Sequence, residues 1–299
     1  MNSAQIGKAI RQLRLRAGYT QHELASCLNV TDKAVSKWER GLSIPDISIV
    51  MLLSNLLNCD VDNLLEGNIT YLEQTWQGLL ILPESGHPGC GTTIYGKPLV
   101  YILLSYFVLA GIKSIYVSCG EADREFIRET IGDGARFGIS LTMMERGEKI
   151  PPVCANTMAV VGNVFIYGPN LTRYFQRAIS RKDGITVLTL DKAGEAEEQE
   201  VFYDNKRAII PNGTEGIRQK RVPVFFFPQK WFREIGNIGE AERLKPLYAE
   251  PMDNGMIEYM IRNEDDALDT AAFFRYIRKK TGKEIYDLTE VAKNRNFIE

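Results

Sequence analysis

Six polar side chains near the start of the chain could act together: Gln21, Thr31, Asp32, Lys33, Ser36 and Lys37. Ammonium, hydroxyl and amide groups are the types that hold phosphates and read base edges. The run that would position them is TQHELASCLNVTDKAVSKWERG, residues 20–41. Thr20 followed by Glu23 is a capping box that opens a short helix. Leu24, Ala25 and Leu28 give that helix one apolar face; Asn29 breaks it, and Val30 is a turn residue facing the interior. Thr31 caps a second helix, which Gly41 stops in a left-handed conformation. Two short helices joined by a tight turn form a helix-turn-helix, a unit that lays its second helix in the major groove of double-stranded DNA.

The first 66 residues resemble the Cro/phage-repressor (XRE-type) DNA-binding domain, an all-α fold. By that resemblance, helix one runs from about Ala4 to Ala17. Pro45-Asp46 starts a fourth helix over ISIVMLLSNLL, and VDNLLEG closes the domain. The family signature S-K-W-E-R-G stands as Ser36 to Gly41. Ile6, Ile10, Leu13, Leu24, Ala25, Leu28, Val35 and Trp38 take core positions. Arg14 and Glu39 match a family pair that ties helix one to the end of helix three, a structural role rather than a DNA contact. Thr31, Asp32, Lys33, Ser36 and Lys37 fall on the exposed face of helix three. On an ordinary helix they would form a solvated face; on a recognition helix they are expected to contact bases or phosphates. Gln21 starts helix two, where free backbone N–H groups and an amide can meet a phosphate.

The charge distribution agrees with this reading. Residues 1–44 hold seven cationic side chains against three anionic ones, a net +4 in a chain whose total is −2, so the remainder is −6. A basic head on an acidic body fits one nucleic-acid surface rather than a general polyanion binder. Cro-like domains usually dimerise to read two half-sites, so a homodimer is expected.

At 299 residues the chain suits two domains, and 44% hydrophobic with 25% charged residues is ordinary globular composition. No apolar run approaches the ~18 residues of a membrane span, and the N-terminus reads as an amphipathic helix rather than a signal peptide. Cys27, Cys59, Cys90, Cys119 and Cys154 are odd in number and form no CxxC, so they read as reduced cytoplasmic thiols, mostly small core residues. With only His22 and His87, neither a zinc site nor a Ser-His-Asp triad is expected. No metal and no cofactor are called for.

A linker at 68–75 separates a domain over 1–67 from a second over 76–299, where the pattern changes. GLLILP, SIYVSCG, ISLTMME, NVFIYG and ITVLTLD read as strands, alternating with helices PLVYILLSYFVLAGI, EADREFIRETIGDG and LTRYFQRAISRKDG. That alternation implies an α/β domain with a mostly parallel, Rossmann-like sheet, whose ligands lie outside the carboxyl ends of the strands. The glycine-rich stretch 84–96 is then the pocket floor, with Glu84, Ser85, Gly86, Gly89, Gly91, Lys97 and Asn170 as candidate cleft residues.

Residues 76–298 resemble a sugar-phosphate nucleotidylyltransferase of the glucose-1-phosphate thymidylyltransferase type. The carrying segments are residues 96–119, IGDGARFGISL, NVFIYGPNLTRYF and the tail 269–298. Such enzymes join a sugar phosphate to a nucleoside triphosphate with loss of pyrophosphate, which needs cations on the phosphates and carboxylates for Mg²⁺. Here the family's G-G-x-G-T-R loop and its following lysine are replaced by LPESGHPGCGTTIYGKP, with Glu84 where triphosphate should lie. The metal aspartate of G-D-N falls on Pro169, or on Asn163 without a gap; the second falls near Met260. The E-K-P lysine has no clear counterpart in IIPNGTEGIRQKRVPV. The expectation is a DNA-binding transcriptional regulator whose second domain is catalytically inactive and senses a nucleotide sugar or sugar phosphate, dimerises, or does both. The alternatives are an active nucleotidylyltransferase with a regulatory DNA-binding head, and an antitoxin-like binding module.

Overall fold

The computed structural model describes residues 2–16, 19–57, 59, 61–67, 76–83, 88–146, 156–181, 183–191, 200–210, 216–228, 246–253, 255–282 and 284–299. By contact the chain divides into two compact units. The first is Met1–Thr75 with Asn170–Ser180; the second is Trp76–Pro169 with Arg181–Glu299. Among the described residues no helix is long and apolar enough to cross a membrane.

Five helices build the first unit: α1 Ser3–Arg16, α2 Gln21–Leu28, α3 Asp32–Glu39, α4 Ile47–Leu57 and α5 Val61–Glu66. The capping box at α2 is complete. Thr20 Oγ1 accepts from the Glu23 N–H at 3.1 Å, and Glu23 accepts from the Thr20 N–H at 2.7 Å. Asn29 ends α2 at φ 53°, letting the Val30 N–H reach back to the Ala25 carbonyl at 3.0 Å. Thr31 then caps α3 through the Ala34 N–H. At the far end Gly41 (φ 68°) and Leu42 donate to the Trp38 and Lys37 carbonyls, the paired closure of a Schellman turn. Ile6, Ile10, Leu13, Leu24, Ala25, Leu28, Val35 and Trp38 are all buried in one core, joined by Val50, Leu53, Leu57 and Leu64. Helix α1 lies hard against the end of α3. A Cβ at Gly7 would come within 2.1 Å of the Trp38 carbonyl oxygen, and one at Gly41 within 2.7 Å of Ala4 Cα.

The second unit is built on a nine-stranded sheet among the described residues. Its parallel core uses β1 Trp76–Ile81, flanked by β4 Ser114–Ser118 and β6 Asn156–Val161, with β5 Ser140–Met144 beyond β4. The hairpin β2 Thr93–Ile94 and β3 Lys97–Pro98 precedes α6 Leu99–Ala110, and α7 Glu121–Thr130 connects β4 to β5. Helix α6 is apolar on nearly all sides and nearly all of it is buried, as such a helix must be. The long strand β11 Ile217–Phe227 runs antiparallel to β6, to β8 Ile185–Leu190 and to β9 Glu200–Tyr203. β10 Ile209–Ile210 pairs with β9, and β12 Leu247–Met252 lies parallel to β8. Helices α9 Glu264–Thr281 and α10 Leu288–Asn294 close the chain. The helix α8, Leu171–Ser180, clusters with the first unit.

The sequence reading named five strands of the thirteen among the described residues, and two of the differences bear on the site. Asn156–Val161, a buried run with little polar alternation, is a central strand that the reading passed over. The strand β7, Val164–Tyr167, is not in the main sheet but pairs antiparallel with β13 Ile257–Met260. Only Gly162 and Asn163 separate β6 from β7. A parallel neighbour needs a crossover of a dozen or more residues, so β7 cannot lie parallel beside β6; both sides of β6 are already taken by β1 and β11.

Candidate functional site

In the first unit, the face of α3 away from the core is open. Thr31, Asp32, Lys33 and Lys37 are exposed and Ser36 is half-buried. The two lysines are four residues apart and so share a side of the helix. Asp32 faces the exposed His22 across the turn, its carboxylate 3.1 Å from Nδ1, a pairing the sequence reading missed. Arg14 is not part of this surface. Its guanidinium donates to both Glu39 carboxylate oxygens, at 2.5 and 3.0 Å, and to the Tyr19 carbonyl at 2.7 Å. Gln21 also bends inward: its Nε2 donates to Glu39 at 2.7 Å, so the amide nitrogen assigned to a phosphate is engaged inside the unit. What Gln21 keeps for a ligand is its place in the first turn of α2, with the unsatisfied N–H groups found there.

In the second unit, the carboxyl ends of the parallel strands come together. The Leu82 N–H donates to Ser118 at 3.0 Å, and the Gly162 N–H to Ile81 at 2.8 Å, carrying the ladders past the strand ends. Asn163 follows directly and is 1% exposed. Its Nδ2 donates to the Pro88 carbonyl at 2.7 Å, and its Oδ1 has no partner among the described residues. The Ile261 N–H donates to the Asn163 carbonyl at 2.9 Å. The two places where the resemblance puts metal aspartates are thus neighbours. Between the two sequence options, the fold favours Asn163, since it ends a strand of the parallel sheet, whereas Pro169 follows β7 outside it. A hard divalent cation takes carboxylate oxygens. One amide oxygen beside Met260 and Ile261 does not fit such an ion, and these residues support no metal-dependent step.

The predicted cleft residues divide. Glu84, Ser85 and Gly86 lie outside the described residues. Gly89 and Gly91 let the loop press onto α7: a Cβ at Gly91 would stand 2.9 Å from the Phe126 ring, and one at Gly89 3.3 Å from Asp123. The Cys90 N–H donates to that same Asp123 carboxylate at 2.8 Å. Lys97 does not join the cleft. Its ammonium is held by Glu284 at 2.9 Å and Asp287 at 3.5 Å, with the side chain 14% exposed, so it anchors the C-terminal segment. Asn170 is exposed at φ 61° and belongs to the stretch that clusters with the first unit.

Three cations here were missed by sequence reasoning. Arg146, just past β5, donates to the Leu82 and Pro83 carbonyls at the end of β1. Arg124, in the first turn of α7, donates to the Met144 carbonyl at 3.3 Å and pairs with Glu121 at 3.4 Å. Their positions just beyond strand ends were the available signal. Lys220, on β11, lies 2.7 Å from Glu258, whose side chain is fully buried.

Residues 10–64 match the helix-turn-helix family HTH_3. The first unit is similar to the HTH-type transcriptional regulator ImmR of Bacillus subtilis, 42% identical over 60 residues, 20% of this chain and 47% of that protein. The chain is also similar to the glucose-1-phosphate thymidylyltransferase of Mycolicibacterium smegmatis, 33% identical over 244 residues, 69% of this chain and 81% of that enzyme. It spans under half the length of some other relatives: ImmR, as above, and the Neisseria meningitidis thymidylyltransferase, 29% identical, of which it covers 44% with 39% of its own length. The fold matches a Bacillus anthracis protein crystallised with sucrose and described as a glucose-1-phosphate thymidylyltransferase. That match has a TM-score of 0.53 at 13% identity, over 67% of this chain and 95% of the other. The chain therefore belongs to the glucose-1-phosphate thymidylyltransferase family, and carries an HTH_3 helix-turn-helix at its N-terminal end.

Proposed function

We propose that this protein is a DNA-binding transcriptional regulator of the cytoplasm whose α/β unit has lost nucleotidyl transfer and serves to sense a ligand. The observation that carries the reading is the division of labour on α3. Glu39 is consumed internally by Arg14 and Gln21, while Lys33 and Lys37 are left exposed beside Thr31 and Asp32. Two cations on the outer face of a second helix suit the major groove and its phosphates. The homodimer expected from the sequence belongs to the same proposal, since two heads read two half-sites.

The loss of catalysis is supported by the pair of positions beyond the carboxyl end of β6. Transfer of a nucleotidyl group develops negative charge that a metal and cations must neutralise. Asn163 and Met260, the positions to which the resemblance assigns the metal aspartates, supply no carboxylate. A nucleotide sugar or sugar phosphate is the ligand class the cleft inherits. The second reading, an active nucleotidylyltransferase with a DNA-binding head, is favoured by the 33% identity over 244 residues with the Mycolicibacterium enzyme.

Two experiments separate these. Selection from a random double-stranded DNA library should enrich one sequence class, and failure to enrich any would remove the regulator reading. Purified protein given nucleoside triphosphates, sugar 1-phosphates and Mg²⁺ should release no pyrophosphate, and turnover would establish the second reading. A thermal-shift screen with nucleotide sugars and sugar phosphates then tests sensing, since a ligand at a hundredfold excess over its Kd stabilises by ~2.7 kcal/mol.

A further inference from the structure

Asp32 is the first residue of α3, at the end that meets base edges when such a helix enters the major groove. Its carboxylate is not spent on capping, because the Thr31 hydroxyl already accepts the Ala34 N–H at 3.3 Å. Across the turn, His22 Nδ1 lies 3.2 and 3.1 Å from the two carboxylate oxygens. A carboxylate only accepts, so Nδ1 carries the proton and is shared between both oxygens. The pair is open to solvent, with side chains 77% and 57% exposed. An ion pair this exposed adds little to stability, so holding the fold together does not account for it.

We propose that Asp32 reads the N4 amino group of a cytosine, and that His22 is its positioning residue. The inference rests on the DNA-reading role proposed for α3 and adds to it the base that is read. Three observations support it. The first is charge. Lys33 and Lys37 suit this surface to phosphates, and a carboxylate among them opposes that fit unless it receives a donor. The second is chemistry. In the major groove the donors are cytosine N4 and adenine N6, and adenine sets its N7 acceptor beside N6. A carboxylate, which only accepts, is repelled by that N7 and suited to cytosine. The third is position. Asp32 and Ser36 are four residues apart, as are Lys33 and Lys37, and successive residues on a helix are turned by about 100°. Two stripes therefore run side by side, one of acceptors and hydroxyls and one of cations, and Asp32 opens the first of them. His22 reaches it from α2. Its N–H restrains the rotation of the carboxylate and offsets part of its charge, while each oxygen keeps a lone pair for an incoming amino group.

The test is selection from a random double-stranded DNA library, run in parallel on the full parent chain and on Asp32→Asn, Asp32→Ala, His22→Ala and His22→Asn, each with parental helical circular dichroism. The parent should fix one C·G pair in its half-site. Asp32→Asn should exchange that pair for A·T, since an amide pairs bidentately with adenine N6 and N7, and should leave the other positions as they were. Asp32→Ala should accept any base there. In titrations, replacing the C·G pair should weaken the parent about tenfold and Asp32→Ala less than about twofold. His22→Ala should keep only about threefold of that preference. His22→Asn, whose amide nitrogen stands near the place of Nδ1, should restore it. An ion pair that served structure alone would change stability or overall affinity, not the preference at one position. If the parent and both Asp32 variants fix the same bases throughout, or if the position they alter is not C·G in the parent, the proposal is overturned while the regulator reading stands. A His22→Ala chain with the full parental preference removes His22 from it. A parent that enriches no sequence overturns the regulator reading and this inference with it.

Discussion

Arg14 and Glu39, 25 residues apart in sequence, form a two-pronged ion pair with side chains 8% and 3% exposed. The carboxylate receives a third donor from Gln21, and the guanidinium spends its remaining reach on the Tyr19 carbonyl. One buried carboxylate thus fastens the ends of α1, α2 and α3 to each other. Removing one partner leaves the other charge buried and uncompensated, so Arg14→Ala or Glu39→Ala should destabilise the first unit by ~3–5 kcal/mol. Arg14→Lys should retain only part of that stability, because an ammonium cannot reproduce the fork. Urea unfolding followed at Trp38 measures both; an unshifted midpoint in either alanine variant would refute the role.

The capping box makes the same unit sensitive to acid. The Thr20 backbone N–H and hydroxyl hold the Glu23 carboxyl below its ordinary value of 4.5, and the Ser48 hydroxyl and Ile49 N–H lower that of Asp46 from 3.8. Groups with depressed folded pKa values add stability that is full above the unfolded pKa. That stability disappears as pH falls through the folded value. Loss should therefore set in below about pH 4.5 and be blunted in Thr20→Ala, which should itself cost ~1 kcal/mol near neutrality. NMR titration of Glu23 checks the cause: its pKa should rise in Thr20→Ala.

Gly7 is fixed by packing rather than by backbone freedom. Since a Cβ would meet the Trp38 carbonyl oxygen at 2.1 Å, Gly7→Ala must push α1 off α3. The expected cost is ~1–3 kcal/mol, in the range of other overpacked sites. A thermal midpoint at or above the parent would show that the helices do not approach this closely.

Lys33 and Lys37 should behave as DNA contacts without behaving as stabilising residues. Each is exposed, so Lys33→Ala and Lys37→Ala should leave the unfolding free energy within about 0.5 kcal/mol of the parent. On a selected operator, a base-reading lysine costs ~1–3 kcal/mol and relaxes one position, whereas a phosphate contact lowers the salt slope by about one and affects all sequences alike. Unchanged operator affinity in both variants would remove α3 as the reader.

Burial sorts the cysteines. Cys27 is exposed, whereas Cys59, Cys90 and Cys119 are buried; Cys154 lies outside the described residues. Desolvation pushes the Cys90 thiol far up, with the Asp123 carboxylate adding to it, and desolvation raises Cys119 as well. Thiolate is the reactive form. In native protein at pH 7 to 8, Cys27 should therefore react with a maleimide well before Cys90 or Cys119. Peptide mapping that found Cys90 labelled at the rate of Cys27 would contradict the packing of its loop onto α7.

Local chemistry and periodicity were enough to place much of the chain before any coordinates. Thr20 and Glu23, Thr31, Asn29 and Gly41 punctuate the helices through backbone hydrogen bonds made within a few residues, so their spacing alone placed α2 and α3. The strand and helix alternation from β1 to α7 was legible for the same reason. What spacing could not supply was which distant groups meet. Gln21 turned inward to Glu39, Lys97 was drawn to Glu284 across 187 positions, and Arg146 reached the end of β1. The choice between Asn163 and Pro169 required knowing that β7 leaves the main sheet to pair with β13, a pairing between strands ninety residues apart. Likewise, the uncharged sequence of α4 does not show which of its sides is covered. That one of its apolar faces lies in solvent became visible only when Val50, Leu53 and Leu57 were seen to fill the core. Caps and periods act over one or two turns of chain, whereas the pairing of buried charges and the choice of covered face are settled by which surfaces the whole fold brings together.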